Sequence, residues 1–251
     1  MLDRPPLSLA LASLRPPPGG DPRAPVEWAA GEGFRHVTLD ASAPGLRPRE
    51  LDRSARRDLA ALLRRLELGL AGIDLWIPTA HYTDPAHADR AAGAITGALD
   101  LAADLAGLAG GDAVVSLSLP RENLPATLRD TLISHADSRH ATLADHAWPP
   151  AESPTHDALG VGLDPALVLL AGDNPAKAAA RLGARLAVAR LSDASEVARV
   201  EPGSREGRLN DLAFVVALQT VKHSRPLVLD TRGLPSPADS ARRVLRWWTT
   251  G

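Results

Sequence analysis

The residues of this chain whose types and spacing could do chemistry are aspartates, because they close apolar runs one after another. Asp40 ends the run His36-Val37-Thr38-Leu39-Asp40, Asp145-His146 close a later one, and Asp164, Asp193 and Asp230 close three more. His81 stands just beyond another run, and Arg190 and Arg232 lie on or beside the last two. Carboxylates gathered in one place repel each other, and without a cation or arginines some would be forced to protonate. A divalent ion is an economical remedy. Oxygen-rich ligation with at most one or two imidazoles suits Mg²⁺ or Mn²⁺ better than a softer metal. The local alternative for each aspartate is that it ends its strand by capping the next turn or helix, as Asp84-Pro85 and Asp164-Pro165 are placed to do.

Composition narrows the chemistry further. With 251 residues, 45% hydrophobic and 23% charged, and a formal net charge of -2, the chain can bury a large core and is too balanced to be disordered. It has no cysteine, which excludes disulfides, thiolate metal sites and cysteine nucleophiles together. Five Trp, one Tyr and two Phe are few for stacking on bases, and the near-zero net charge gives no global attraction to a phosphate backbone, so no nucleic-acid partner is expected. All but two of the 28 basic residues are arginines, spread along amphipathic helices rather than gathered in a block. Uninterrupted apolar runs fall far short of the roughly 18 residues of a membrane span, so no membrane partner is expected either. Leu7 to Leu14 (LSLALASL) has the look of a short signal sequence, but Asp3-Arg4-Pro5-Pro6 precede it and it is wanted as a first strand. The expected location is cytoplasmic.

Eight short apolar or alternating runs are candidate strands: Leu7–Leu14, His36–Ala41, Leu70–Pro78, Ala113–Leu119, Ala141–Ala147, Leu159–Asp164, Arg185–Asp193 and Pro226–Thr231. Helical patterns separate most of them. In the second, Leu51, Ala55, Leu59, Leu62, Leu63 and Leu66 share one face, while five arginines take the remainder. A third helix is expected from Asp84-Pro85 to about Leu108, stopped by Gly110-Gly111, with others over 125–138, 175–182, 210–223 and 237–248. The proline-rich connection 148–158, after the fifth strand, lacks a full helix pattern.

Strands alternating with helices imply parallel strands and right-handed crossovers. Eight such units in this length predict a single (β/α)8 TIM barrel over residues 1–251, a closed eight-stranded parallel sheet without a full helix after strand five. The first strand-to-helix turn, Arg15-Pro16-Pro17-Pro18-Gly19-Gly20, is not a dinucleotide fingerprint, and no phosphate-loop, G-x-S-x-G or H-E-x-x-H pattern occurs. In such a barrel the site lies at the carboxyl ends of the strands, where the aspartates are.

The sequence also resembles a known family, the xylose-isomerase-like TIM barrels, which include sugar-phosphate isomerases and epimerases and a type of DNA-repair endonuclease. The resemblance is carried by Gly33-Phe34-Arg35-His36-Val37-Thr38-Leu39-Asp40, by Arg56-Arg57-Asp58-Leu59 leading to Leu68-Gly69-Leu70-Ala71-Gly72-Ile73, and by Leu101-Ala102-Ala103-Asp104-Leu105-Ala106-Gly107. Gly162-Leu163-Asp164-Pro165 and Pro202-Gly203 with Gly207 continue it.

The resemblance implies a divalent ion, Mn²⁺ or Mg²⁺, held by Glu, Asp, His and Glu at strands five to eight, with the two Glu residues moving protons. By position these become Asp145, Asp164, Arg190 and Asp230. One ligand matches, two are shortened and one is a cation. A Glu to Asp change retracts the carboxylate by about 1.5 Å, against a metal-ligand tolerance of about 0.2 Å. Arg190 cannot ligate a metal, but its planar fork can pair with carboxylates or with an anionic ligand. His146 could replace the missing imidazole, although neighbours on a strand face opposite ways.

Two functions follow from the resemblance. The first is a sugar or sugar-phosphate isomerase or epimerase, with Asp145 and Asp230 exchanging protons beside a carbonyl and Asp145, Asp164, Asp230 and His146 holding the metal. The second is a repurposed, metal-free barrel that binds an anionic small molecule through Arg190 and Arg232. Trp76 and His81, after strand three, are the expected ligand contacts in either case. The ligand class is a small carbohydrate or anion. The nuclease reading would need a His- and Glu-rich multi-metal site with a basic groove, and the sequence has neither.

Overall fold

A computed structural model describes residues 4–14, 20–151 and 156–250. The expected eight runs all form strands, shorter than the apolar patterns that announced them. They are β1 (Leu7–Ala10), β2 (His36–Asp40), β3 (Gly69–Asp74), β4 (Val114–Leu117), β5 (Thr142–Asp145), β6 (Leu159–Leu163), β7 (Leu186–Leu191) and, after a small antiparallel ribbon of β8 (Asp193–Ala194) and β9 (Arg199–Val200), β10 (Leu227–Leu229). All pairs in the barrel are parallel, and β10 closes on β1. The signal-like stretch at residues 7–10 is thus a barrel strand, paired with β2 and β10. The ribbon was not visible in the sequence pattern.

Among the described residues eight α-helices accompany these strands: α1 (Ala24–Gly31), α2 (Arg53–Arg65), α3 (Ala88–Ala109), α4 (Ala126–Ser138), α5 (Pro165–Leu170), α6 (Pro175–Leu182), α7 (Asp211–Thr220) and α8 (Pro237–Thr250). Side-chain caps set several starts, with Asp52 accepting from Ala55 N, Asn174 from Lys177 N and Asn210 from Ala213 N. The third helix begins later than expected. Asp84 accepts from Ala86 N at 3.0 Å and pairs with His87, so it closes a turn ahead of Ala88 instead of capping the helix. Gly110, at φ 80°, ends α3 as anticipated. By length and composition α3 could cross a membrane, yet it packs between α2 and α4 over β3 and β4. No helix occurs between β5 and β6 among the described residues.

Two cores result from the period-two alternation of the strands. Leu9, Leu39, Ile73, Val115, Leu143, Leu163, Leu191 and Leu229 face outward and join the large cluster beneath the helices. Ala10, Val114, Ala144, Val188 and Val228 form a separate apolar layer inside the barrel. Two register shifts interrupt the alternation, one of β3 against β2 at Val37/Thr38 and one of β7 against β6 at Val161/Gly162. Residues two beyond the inner apolar layer, on the carboxyl side, make the floor of the mouth.

Candidate functional site

Directly above that layer stand Ser116, His146, Arg190 and Asp230, each two residues after an inner apolar residue, and Asp74 beside Ser116 in register. All are buried. Asp74 and Arg190 point inward because of the two register shifts. Leu70 and Ile73 both face the outer core at an odd spacing, as do Leu186 and Ala189, which only an extra residue in each strand permits.

Arg190 is the hub. Its side chain is 0% exposed, Nη2 donates to Asp74 Oδ1, and Nη1 donates to Asp230 Oδ2 at 3.1 Å. Arg232 wraps Asp230 from above, with Nε 2.9 Å from Oδ1 and Nη2 2.5 Å from Oδ2. Arg199, carried in by the ribbon strand β9, donates to Asp164 Oδ2 at 2.9 Å and lies 3.4 Å from Asp230 Oδ2. Asp164 also accepts from Ser192 Oγ and caps α5 through Ala166 N. Asp164 therefore caps a helix and also lines the mouth. The indole of Trp76 lies 4.0 Å from the Arg232 guanidinium carbon and 5.0 Å from that of Arg190, a stacked cation-π pair of contacts.

The charges are layered. Asp74, Asp164 and Asp230 are 0–3% exposed, whereas Arg199 and Arg232 show 20% and 27% of their side chains. Burial alone would push Asp230 upward, but Arg190, the Arg232 hydrogen bonds and Arg199 hold it far below the usual carboxylate range. Burial wins at Asp74, whose carboxyl is raised despite Arg190 and Arg232. Burial, followed by the charges of Arg190 and Arg232, keeps His146 well below an ordinary histidine and therefore neutral. Its Nε2 lies 3.1 Å from Ser116 Oγ, and its ring meets Trp76 edge to face at 5.6 Å. Gly162 makes room for that ring, since a Cβ there would stand 2.2 Å from Nε2.

Asp145 does not join the cluster. It faces the opposite way from His146, as alternation requires, and accepts from Leu119 N and Ala147 N at 3.0 Å each. Burial raises its carboxyl, and the two amide bonds offset only part of that. Asp193 likewise accepts from three backbone amides, at Ala194, Arg208 and Leu209. Asp40 is bonded to Ser42. His81 stacks on His87 at 4.5 Å outside the mouth. The expected ligand set Asp145, Asp164, Asp230 and His146 is therefore split: Asp145 is turned away, and the two remaining carboxylates are taken by guanidiniums. The direct ligand contact expected of Arg190 is closed off by its burial.

A divalent ion does not fit this donor set. Every oxygen of Asp230 and Asp164 already accepts a bond, a guanidinium occupies the strand-seven position, and His146 sits among cations. Among the described residues no group of three or more His, Asp or Glu side chains is arranged to hold a metal. What remains open is a cavity of about 390 Å³ at the mouth, lined by Trp76, Ser118, His146, Asp164, Arg199 and Arg232. Asp74, Arg199 and Ser118 were missed by sequence reasoning. The odd spacing of Leu70 and Ile73 could have revealed Asp74, but nothing local marks Arg199.

No protein-family profile and no curated protein matches the sequence. Solved structures do resemble it. A xylose isomerase domain protein from Planctomyces limnophilus superposes with a TM-score of 0.74 at 14% identity, covering 98% of this chain and 95% of that one. An L-ribulose 3-epimerase gives 0.67 at 14% identity, covering 98% and 94%. A xylose isomerase-like TIM barrel protein from Mycobacterium smegmatis, in complex with magnesium, gives 0.70 at 15% identity, covering 98% and 97%. These likenesses span the whole barrel at low identity, so they show the fold alone: the chain is a (β/α)8 barrel similar in architecture to those xylose isomerase-like and epimerase structures.

Proposed function

We propose that this barrel binds a small anionic carbohydrate derivative, a sugar acid or sugar phosphate, at its mouth without a metal ion. The observation that supports this reading is the layering of charge: the carboxylates lie beneath, each bonded to a guanidinium, and Arg199 and Arg232 face the cavity above them. Arg232 Nη1 takes no part in the bonds to Asp230, leaving donors for an incoming anion. Trp76, already stacked on Arg232, offers a flat apolar face to a sugar ring, and Ser118 and the neutral His146 supply hydrogen bonds to hydroxyls. Arg190 supports the site from below by holding Asp74 and Asp230.

The similarity in fold to sugar epimerases supports the carbohydrate class of ligand. The proton-transfer chemistry expected of Asp145 and Asp230 finds no support in the arrangement. Asp230 is clamped by guanidiniums as a carboxylate of very low basicity, and Asp145 faces away.

Calorimetric titration of chelator-treated protein with MnCl₂ and with 3-phosphoglycerate tests the reading. The expected result is no heat from Mn²⁺ and saturable binding of 3-phosphoglycerate, weakened about tenfold or more in Arg232→Ala, as loss of a charge-assisted hydrogen bond implies. Tight Mn²⁺ binding that Asp164→Asn abolishes would overturn the reading and restore a metal-dependent isomerase site.

A further inference from the structure

A larger cleft, about 840 Å³, opens on the same face of the barrel but to one side, between the loop after β2, the loop after β3 and the first turns of α3. Its walls are mainly apolar, with Leu75, Ile77 and Pro48 on the loops and Ala91 and Ala94 on the helix. Trp76 lines both this cleft and the mouth, and so divides them.

The arginines at the rim are of two kinds. Arg47 and Arg56 are tied to Glu50 and Asp104 at 3.1 and 2.6 Å. Arg49 and Arg90 are exposed and form no salt bridge among the described residues. An apolar trough with two exposed guanidiniums at its edge, neither of them in a salt bridge among the described residues, is complementary to a molecule with an apolar body and an anionic end. The stacked rings of His81 and His87 add a flat aromatic wall, and Trp76 another. Gly93 also lines the cleft, and a Cβ placed on it would meet nothing within 4 Å, so the space is open down to the helix backbone.

We infer that this cleft is a second ligand site, selective for an aryl-alkyl carboxylate whose ring lies between Trp76, Ile77 and α3 and whose carboxylate reaches Arg49 and Arg90. The inference does not rest on the mouth as an anion site, and failure of 3-phosphoglycerate to bind would leave it standing.

Titration of the full chain with 4-phenylbutyrate and with its uncharged counterpart 4-phenylbutanol tests it. The acid is expected to bind more tightly than the alcohol. Gly93→Leu, which puts a side chain into the cleft from a helix that tolerates leucine better than glycine, should weaken the acid at least about tenfold without lowering the melting temperature. The double variant Arg49→Gln/Arg90→Gln should reduce the acid to the affinity of the alcohol and leave the alcohol unchanged. Saturating 3-phosphoglycerate should not compete. Absence of acid binding at millimolar concentration, equal affinity for acid and alcohol, indifference to Gly93→Leu, or displacement by 3-phosphoglycerate would each overturn the inference.

Discussion

Arg190→Ala removes the hub of the mouth, and its cost can be worked from the geometry. Arg190 is the sole hydrogen-bond partner of the Asp74 carboxyl among the described residues, Asp74 Oδ2 has none, and both side chains are 0% exposed. Asp230 is better insured, because Arg199 and Arg232 remain. The variant therefore leaves one buried carboxyl without its hydrogen-bonded cation, with Arg232 acting only from a distance, the case in which breaking a buried pair costs about 3–5 kcal/mol. For a chain of this size that corresponds to a fall in melting temperature of roughly 6–20 °C. The loss must also depend on pH. Asp74 is an acid whose folded pKa is already raised by burial, so the folded state holds its proton more tightly than the unfolded state. Its contribution to stability is present below the unfolded carboxylate value and is lost as pH rises through the folded one. Without Arg190 the folded value rises further, so the penalty should be small near pH 4, grow through the mildly acidic range and level off above it. Urea unfolding of wild type and variant at several pH values, followed by far-UV circular dichroism, measures this, and Asp74→Asn in the Arg190→Ala background should recover much of the loss at neutral pH. A penalty under about 1 kcal/mol, or one equal at pH 4 and pH 8, would refute the account of Arg190 as compensation for buried carboxylates.

Asp145→Asn should change binding of 3-phosphoglycerate less than about twofold and shift stability by less than about 1 kcal/mol, because Leu119 N and Ala147 N both donate to Oδ1, an oxygen that asparagine keeps; titration and melting curves check both. Gly162→Ala should destabilise by about 1–3 kcal/mol, since its Cβ would meet the His146 ring at 2.2–2.4 Å, and His146→Ala in the same chain should relieve much of that. Below neutral pH, stability should fall as the buried His146 and the half-buried His223 are forced to take protons. His223 is drawn down to about 4 by burial and then by Arg225, so its contribution is present above the ordinary histidine value and lost between roughly pH 6.5 and pH 4. His223→Gln should flatten that part of the pH-stability curve.

The order of elements was legible in the sequence because it is written in local patterns. Alternating apolar residues, helix caps such as Asp52 and Asn174, and the Gly110-Gly111 stop are short-range signals, and eight strands, most of them followed by a helix, leave few ways to build the sheet other than closure. The acidic ends of the strands were equally legible, since the carboxyl end of a barrel strand can be found by reading to the close of each apolar run. Alternation within a strand even separates Asp145 from His146 without any structure.

The roles of those residues were decided elsewhere. Asp74 and Arg190 face each other across the barrel interior because β3 and β7 each carry one extra residue, and a shift of one reverses the face of every side chain beyond it. A register shift depends on the pairing strand, so the sequence of one strand alone does not determine it. Arg199 reaches Asp164 and Asp230 from 35 and 31 positions away on a two-residue ribbon that has no periodic signature. The sequence by itself determined the barrel and the acidic rim, through interactions between near neighbours. Only tertiary structure decided that three guanidiniums stand among those carboxylates, because that placement arises from strand register and closure between segments far apart in the chain.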